Sequence, residues 1–177
     1  MIRIADKVFE LFIPRGEIAE AVEILAERIN RDYAERENPL FLGVLNGAFL
    51  FMSDLVRRIG FPCEVSFIKL ASYDGTDSRG EVSELIGLAH EIRGRHLIIV
   101  EDIVDSGTTI DHLMRILQER APASIEVAAL LFKPDVCRKD FPLRYGMAVP
   151  NDFLIGYGLD YNGFGRNLPD IYRLTNG

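Results

Sequence analysis

Apolar residues recur at helical spacing in three segments of the chain. In residues 17 to about 33 they lie on one face, which predicts an amphipathic helix: Ile18, Val22, Leu25, Ala26 and Ile29. In residues 109–120 a second apolar face is formed by Ile110, Leu113, Met114 and Leu117. A shorter helix is predicted from Ala48 to Ile59, and the following Gly60–Phe61–Pro62 ends it.

Short apolar runs of strand length alternate with these helices. They predict strands at 39–45, 63–71, 84–89, 95–100 and 124–132, with shorter strands around 145–149 and 153–157. Nearly continuous apolar strands separated by helices are typical of an α/β fold whose mainly parallel sheet is flanked by helices on both faces. Because ligands bind beyond the carboxyl ends of such strands, we expect the turns after 39–45, 95–100 and 124–132 to form one site.

Composition narrows the class of protein. The 177 residues are 48% hydrophobic and 27% charged, without an internal repeat or linker, which predicts a single soluble domain over 1–177. A net charge of −7 argues against a nucleic-acid partner. Isolated Cys63 and Cys137 indicate neither a zinc site nor a disulfide. The charged N-terminus is unlike a signal peptide and no apolar run has the length of a membrane span, so we expect a cytoplasmic protein without a membrane partner.

The segment IIVEDIVDSGTTI, residues 98–110, combines an anion site with acids. Ser106, Gly107, Thr108 and Thr109 lie between a predicted strand and a predicted helix, where free backbone N–H groups and hydroxyls form a phosphate cradle. The alternative is that one of these hydroxyls merely caps the helix, and the residues alone favour neither interpretation. No Walker loop is present elsewhere in the chain.

Three acids, Glu101, Asp102 and Asp105, precede the cradle. Acids in a loop usually form a solvated turn, and beside a bound phosphate they would repel it. A phosphorylated sugar resolves this conflict, because its phosphate would occupy the cradle while its hydroxyls donate to Glu101 and Asp102. Magnesium would offset the remaining negative charge. Asp105 would then lie nearer to the reacting end of the sugar.

The same segment resembles the phosphoribosyl-diphosphate signature of the type I phosphoribosyltransferases. Four further stretches resemble the hypoxanthine–guanine branch of that family and occur in its order: VLNGAFLF (44–51), SYDGTDSRGEV (72–82), LLFKP (130–134) and FLIGYGLDYNGFGRNLPDIYRL (153–174). The resemblance implies the type I phosphoribosyltransferase fold, in which a small hood is formed by the N- and C-terminal segments, here about 1–15 and 150–177.

The resemblance also implies roles for individual residues. Phosphoribosyl diphosphate would be bound by Leu45, Asn46, Gly47, Glu101, Asp102, Ser106, Gly107, Thr108, Thr109 and Arg166. The purine would be bound by Lys133, Phe153, Leu154 and Asp160. Magnesium would be held by Glu101, Asp102 and Asp160. Asp105 would be the general base, Leu45–Asn46 would be a cis peptide, and a flexible loop entered through Ser72 and Tyr73 would close over the site. By residue type alone, a solvent-exposed charge is the favoured interpretation of Lys133, and the LLFKP context reverses it. Phe153 fits a core position as well as a stacking role, Arg166 is also compatible with a surface ion pair, and Asp160 with a turn.

The activity implied is magnesium-dependent transfer of a phosphoribosyl group to hypoxanthine, and to guanine, by a homodimer or homotetramer. Lys133 as a donor suits 6-oxopurines and rejects adenine, whereas xanthine is harder to exclude. Asn46 stands where several members carry a basic residue, so the diphosphate is expected to meet less charge here. The alternatives are a pyrimidine or xanthine phosphoribosyltransferase and a regulator on the same fold that binds nucleic acid. The acidic composition and the absence of spare length disfavour the regulator.

Overall fold

The computed structural model describes residues 1–72, 82–86, 88 and 90–175, with only the backbone of 70–72 and 82–86. In chain order the elements are β1 (Ile2–Ile4), β2 (Lys7–Ile13), α1 (Arg15–Tyr33), β3 (Leu40–Val44), α2 (Phe49–Val56), β4 (Glu64–Ser72), β5 (Val82–Ile86), β6 (His96–Val104), α3 (Thr108–Gln118), β7 (Ser124–Phe132), β8 (Leu143–Ala148), β9 (Leu154–Ile155) and β10 (Ile171–Leu174). Ser72 ends β4, whereas Tyr73 and most of the predicted flexible loop lie outside the described residues.

The central sheet has the strand order β5-β4-β3-β6-β7-β8. Along this order, β4, β3, β6, β7 and β8 each pair with the next strand in parallel. β5 pairs with β4 in the antiparallel direction at the edge of the sheet. This confirms the predicted α/β class with its mainly parallel sheet. The parallel arrangement places the ends of β3, β6 and β7 at one edge, because all three strands run in the same direction.

Alternate residues of the central strands enter two cores on opposite faces of the sheet. Phe41, Ile98 and Val100 pack with the apolar faces of α1 and α2. Leu42 and Ile99 pack on the other face with α3. The near-continuous apolar strands follow from this double burial, as the sequence predicted. Among the described residues, no helix is both long enough and apolar enough to cross a membrane.

A second, antiparallel sheet is built from the two ends of the chain. Its order is β1-β2-β10-β9, so the N-terminal hairpin pairs directly with the C-terminal strand. This sheet is the hood that the family resemblance implied. The apolar pattern did not predict β1, β2 or β10. β1 and β10 have only three and four residues, and the charged Lys7 and Glu10 interrupt the apolar pattern of β2.

One boundary prediction was wrong in a way that affects the site. The sequence placed the end of the strand at Val100 and the acids in the turn, whereas β6 continues to Val104. The reason is that β7 continues alongside, so that Glu101 pairs with Ala129 and Val104 with Phe132. Glu101 and Asp102 therefore project from a strand whose backbone is fixed by the ladder, and only Asp105 lies in the turn.

Candidate active site

A cavity of about 190 Å³ lies at the carboxyl ends of β6 and β7, under the segment that leads into the hood. It is lined by Asp102, Ile103, Asp105, Lys133, Asp152, Phe153, Leu154, Leu159 and Asp160. The fold thus brings one acid of the adjacent pair, the candidate base and all four candidate purine residues to a single cavity.

The turn after β3 packs directly against the acid pair. The Leu45–Asn46 peptide is cis, as the resemblance implied. A Cβ atom placed on Gly47 would overlap the carboxyl group of Asp102, and one placed on Gly158 would overlap the carbonyl oxygen of Gly47. Glycine is therefore required at both positions to let the three backbone segments approach so closely.

The acid pair is held in a desolvated position. The Oε2 atom of Glu101 is buried and has no hydrogen-bond partner in the described part of the chain. Burial, with Asp102 beside it, raises the pKa of Glu101 well above its usual range. Burial also raises the pKa of Asp102 to about 6, although the backbone N–H of Ile103 donates to its Oδ1 at 3.0 Å. Carboxyl groups in this state gain from any ligand that offers a donor or a cation.

The predicted phosphate cradle is formed by the turn between β6 and α3. Gly107 has a positive φ of 78° and precedes Thr108, the first residue of α3. No side chain caps the helix, and the Ser106 hydroxyl donates to the Thr108 hydroxyl at 3.1 Å. The Thr108 N–H contacts the Ser106 Oγ at 3.3 Å, a long bond. The start of the helix therefore presents its remaining N–H groups outward, as an anion site requires.

Lys133 is a buried cation at the end of β7, only 6% exposed. Its Nζ lies 2.9 Å from Oδ2 of Asp105 and 3.3 Å from Oδ1 of Asn151. The side chain of Asp105 is 52% exposed, so the base candidate reaches solvent while its partner does not. A buried lysine is unusual without a paired carboxylate, and this pair accounts for the position.

The segment that leads into the hood supplies the remaining candidates. Phe153 is 48% exposed and meets the edge of Tyr161 at 5.8 Å between ring centroids, whereas Leu154 is buried in β9. Arg166 is paired with Asp160, with 2.6 Å from Nη2 to Oδ1, and it also donates to the Gly158 carbonyl at 2.6 Å. Arg166, which was predicted to bind the diphosphate, is therefore paired with Asp160, which was predicted to bind the metal ion.

Two polar residues at or next to the cavity were missed by sequence reasoning. Asn151 contacts the Lys133 ammonium, and Asp152 lines the cavity directly. Both precede Phe153 in an irregular segment, where a polar residue carries no periodic signal. Their adjacency to a candidate stacking residue was the only available indication.

The described residues offer magnesium two carboxyl groups and not a complete set of ligands. Among residues 1–72, 82–86, 88 and 90–175, no group of three or more His, Cys, Asp or Glu side chains is placed to hold a metal ion. The unpartnered oxygen of Glu101 and the carboxyl of Asp102 are hard oxygen donors at adjacent positions of β6. Magnesium commonly takes one or two carboxylates and completes its shell with phosphate oxygens and water, so these residues fit it.

Comparisons with known proteins agree on one family. A family model described as a phosphoribosyl transferase domain matches residues 14–162. The chain is 40% identical to the hypoxanthine-guanine phosphoribosyltransferase of Dictyostelium discoideum, over 93% of this chain and 94% of that protein. It is 38% identical to the hypoxanthine phosphoribosyltransferase of Salmonella typhimurium, over 94% and 95%. A crystal structure of the hypoxanthine phosphoribosyltransferase from Staphylococcus aureus superposes with a TM-score of 0.84 at 33% identity, over 94% of this chain and 91% of that chain.

Proposed function

Because this chain belongs to the phosphoribosyl transferase family, in its hypoxanthine–guanine purine-salvage branch, we propose that it transfers the 5-phosphoribosyl group of phosphoribosyl diphosphate to hypoxanthine and to guanine. The products are IMP or GMP and diphosphate, and the reaction requires magnesium. One observation carries the choice of base: the buried Lys133 ammonium and the half-exposed Asp105 carboxylate meet at 2.9 Å inside the cavity.

The purine enters the cavity as a neutral 6-oxopurine. Lys133 donates to the exocyclic oxygen, while Phe153 stacks on the ring and Leu154 offers its backbone groups to the ring edge. Asp160, also in the cavity lining, completes the purine set. Adenine presents an amino group to Lys133, and two donors facing each other with no acceptor are unfavourable.

The phosphoribosyl group spans the turn and the acid pair. Its 5′-phosphate is held by the backbone and hydroxyls of residues 106–109, and its ribose hydroxyls donate to Glu101 and Asp102. The diphosphate lies along Leu45, Asn46 and Gly47. Arg166 moves from Asp160 to the diphosphate, which frees Asp160 for the metal. Magnesium, when bound by Glu101, Asp102 or Asp160, supplies positive charge that stabilises the leaving diphosphate.

The chemical step is a displacement at the anomeric carbon. A bond forms between a purine ring nitrogen and this carbon, and the bond to the diphosphate oxygen breaks with inversion. Asp105 accepts the proton that the purine ring loses, and the contact with Lys133 at 2.9 Å holds the Asp105 carboxylate in place. Closure of the loop entered through Ser72 and Tyr73 would exclude water, which would otherwise capture the ribosyl cation.

Product analysis tests this function directly. The protein is incubated with magnesium, phosphoribosyl diphosphate and one of hypoxanthine, guanine, xanthine or adenine, and nucleotides are separated by chromatography. We expect IMP and GMP with release of one diphosphate per nucleotide, and loss of product when magnesium is chelated. Adenine as the best substrate would contradict the role of Lys133, and no nucleotide from any base would contradict the function.

Assembly and location are part of the same proposal. We expect a cytoplasmic homodimer or homotetramer made of single-domain subunits, each with a hood from residues 1–15 and 150–177. Light scattering coupled to size exclusion measures the subunit number. A monomer that retains full activity would contradict the proposed assembly without affecting the proposed reaction.

A further inference from the structure

The purine cavity contains more acid than its proposed chemistry uses. Of the described residues that line it, Lys133 is the one basic residue and four are aspartates: Asp102, Asp105, Asp152 and Asp160. In the proposed function, Asp102 binds the ribose, Asp105 accepts the purine proton, and Asp160 binds the metal. Asp152 has none of these roles.

Among the described residues, Asp152 has no cation within hydrogen-bond distance. Its nearest cation is Nη1 of Arg173 in β10, 3.8 Å from Oδ2, which is too far for a hydrogen bond. The same Arg173 is committed to Glu10 in β2, at 2.7 Å from Nε to Oε1. Lys133 is committed to Asp105 at 2.9 Å. Asp152 therefore contributes negative charge and acceptor oxygens to the cavity.

We propose that Asp152 is a specificity residue, which makes the cavity accept hypoxanthine and guanine and reject xanthine. This inference rests on the proposed function, since it concerns the same cavity. It addresses a choice that Lys133 cannot make, because all three bases carry the same 6-oxo group. Asp152 directly precedes Phe153 and Leu154, the residues proposed to hold the ring face and the ring edge.

The three bases differ in what they offer at carbon 2. Guanine carries an amino group, which donates; hypoxanthine carries hydrogen; xanthine carries a second oxo group, which only accepts. An ionised carboxylate is also only an acceptor, so it attracts the amino group and repels the oxo group. Xanthine in addition loses a ring proton near neutral pH, whereas hypoxanthine and guanine remain neutral. The anion then meets the Asp152 charge in a partly desolvated cavity, where repulsion exceeds that in water.

A charge-neutral variant with a matched control tests this role. We compare wild type, Asp152→Asn and Glu10→Gln by kcat/KM for hypoxanthine, guanine and xanthine. Glu10→Gln makes the same charge change beside the same Arg173, but Glu10 does not line the purine cavity. In Asp152→Asn we expect the xanthine-to-hypoxanthine ratio of kcat/KM to rise about tenfold and the guanine-to-hypoxanthine ratio to fall. In Glu10→Gln both ratios stay at the wild-type values.

The pH dependence of the same ratio separates charge repulsion from a change of shape. Lowering the pH below neutrality converts xanthine to its neutral form, so the wild-type ratio should rise, and Asp152→Asn should flatten this dependence. The charged and titratable groups around Asp152 are Arg173 and Glu10 on the hood side, and Lys133, Asp102, Asp105 and Asp160 in the cavity lining. Titration of these groups changes kcat/KM for xanthine and for hypoxanthine. The change cancels in the ratio of the two values where both bases make the same contacts with these groups.

The outcomes distinguish the two proposals. If hypoxanthine is converted but the xanthine ratio and its pH dependence are unchanged in Asp152→Asn, the role of Asp152 is wrong and the proposed function stands. An equal rise of the xanthine ratio in Glu10→Gln would also overturn it, because the effect would then act through Arg173. If no base is converted by the wild type, the proposed function itself fails.

Discussion

At the scale of single residues, the site depends on two carboxylates in opposite environments. Asp105 is half-exposed and paired with a buried ammonium, whereas Asp102 lies beside Glu101 in a desolvated position. The ion pair fixes the position of the Asp105 carboxylate at the cavity. The desolvated pair is disfavoured in its charged form until a ligand supplies a donor or a cation. In the proposed mechanism, aspartate therefore serves proton transfer at one position and ligand binding at another.

Asp105→Asn should abolish most of the turnover without unfolding the protein. Asparagine has nearly the same shape but cannot accept the purine proton, so kcat is expected to fall about 10²- to 10⁴-fold. Lys133 keeps its contact with Asn151, which limits the structural change. Steady-state kinetics and phosphoribosyl diphosphate affinity measure the two effects. Asp140→Asn, an exposed substitution with the same charge change, is the control. Near wild-type turnover in Asp105→Asn would remove Asp105 from the mechanism.

Asp102→Asn should stabilise the free protein at neutral pH. The unfolded chain ionises Asp102 near 3.8 and the folded chain near 6, so the folded state binds more protons between these values. Stability therefore decreases as pH rises from about 3.8 to 6, and the loss persists above pH 6. Asparagine removes this loss, and we expect a gain of about 2 kcal/mol in the free energy of unfolding at pH 7.

Chemical denaturation of wild type and Asp102→Asn at several pH values, without magnesium or phosphoribosyl diphosphate, measures this gain. The difference should vanish below pH 3.8, where both folded and unfolded Asp102 are protonated. A constant difference across the range would show that the variant acts by packing. The same variant should bind magnesium and phosphoribosyl diphosphate more weakly, because stability of the free site and ligand binding oppose each other here.

At the scale of elements, the sequence predicted the helices and strands whose apolar residues recur periodically. The helix predicted over 17–33 is α1, Arg15–Tyr33, and the strand predicted over 124–132 is β7 with the same bounds. The continuation of β6 through Glu101 and Asp102 could not be read from apolar pattern, because polar residues extend the strand only by pairing with β7. The order of motifs identified the candidate site, whereas Asn151 and Asp152 needed the three-dimensional structure.

The turn before α3 shows how packing fixes an element for binding. Gly107 adopts a left-handed conformation, and a Cβ atom there would lie 2.9 Å from the Cys137 sulfur and 3.1 Å from the Lys139 Cβ. The segment after Lys133 therefore covers the back of the turn, and the Arg138 N–H donates to the Ser106 carbonyl at 3.2 Å. This contact positions the cradle from behind.

Gly107→Ala should weaken both the fold and phosphate binding. Alanine must bear the positive φ and displace the covering segment, so we expect a loss of about 2–4 kcal/mol in the free energy of unfolding. Gly94→Ala is the matched control, because Gly94 has a similar φ of 71° with no atom within 4 Å of the added Cβ. It should lose only about 1–2 kcal/mol, from backbone strain alone.

Thermal or chemical unfolding gives the two stabilities, and titration with phosphoribosyl diphosphate gives the two affinities. Only Gly107→Ala should raise the dissociation constant. Equal stability losses in both variants would mean that the Cys137 segment does not constrain the turn.

At the scale of the whole molecule, the hood is joined to the main sheet at points beside the diphosphate turn. The Tyr157 hydroxyl donates to the Asp54 carboxylate on α2 at 2.5 Å, and the next residue, Gly158, packs on the Gly47 carbonyl. Arg15 and Asp170 form a further link at 3.2 Å. Burial and the hydrogen bond to Asp54 raise the pKa of Tyr157, so this hydroxyl remains a donor at physiological pH. The position of the hood, and with it Phe153, is therefore coupled to the turn that is proposed to hold the leaving diphosphate.

Tyr157→Phe should loosen this joint while leaving every proposed ligand contact in place. The Asp54 carboxyl loses a donor in a half-buried position, which we expect to cost about 1–3 kcal/mol in the free energy of unfolding. Because Gly158 rests on Gly47, the KM for phosphoribosyl diphosphate should rise more than the KM for hypoxanthine. Tyr161→Phe is the control, because it removes a hydroxyl of the same hood segment that donates to the exposed Asp6 at 3.0 Å. It should change neither the free energy of unfolding nor the two KM values appreciably. If both variants raise both KM values equally, the hood responds as a loose body, and the joint at Asp54 does not transmit its position to the diphosphate turn.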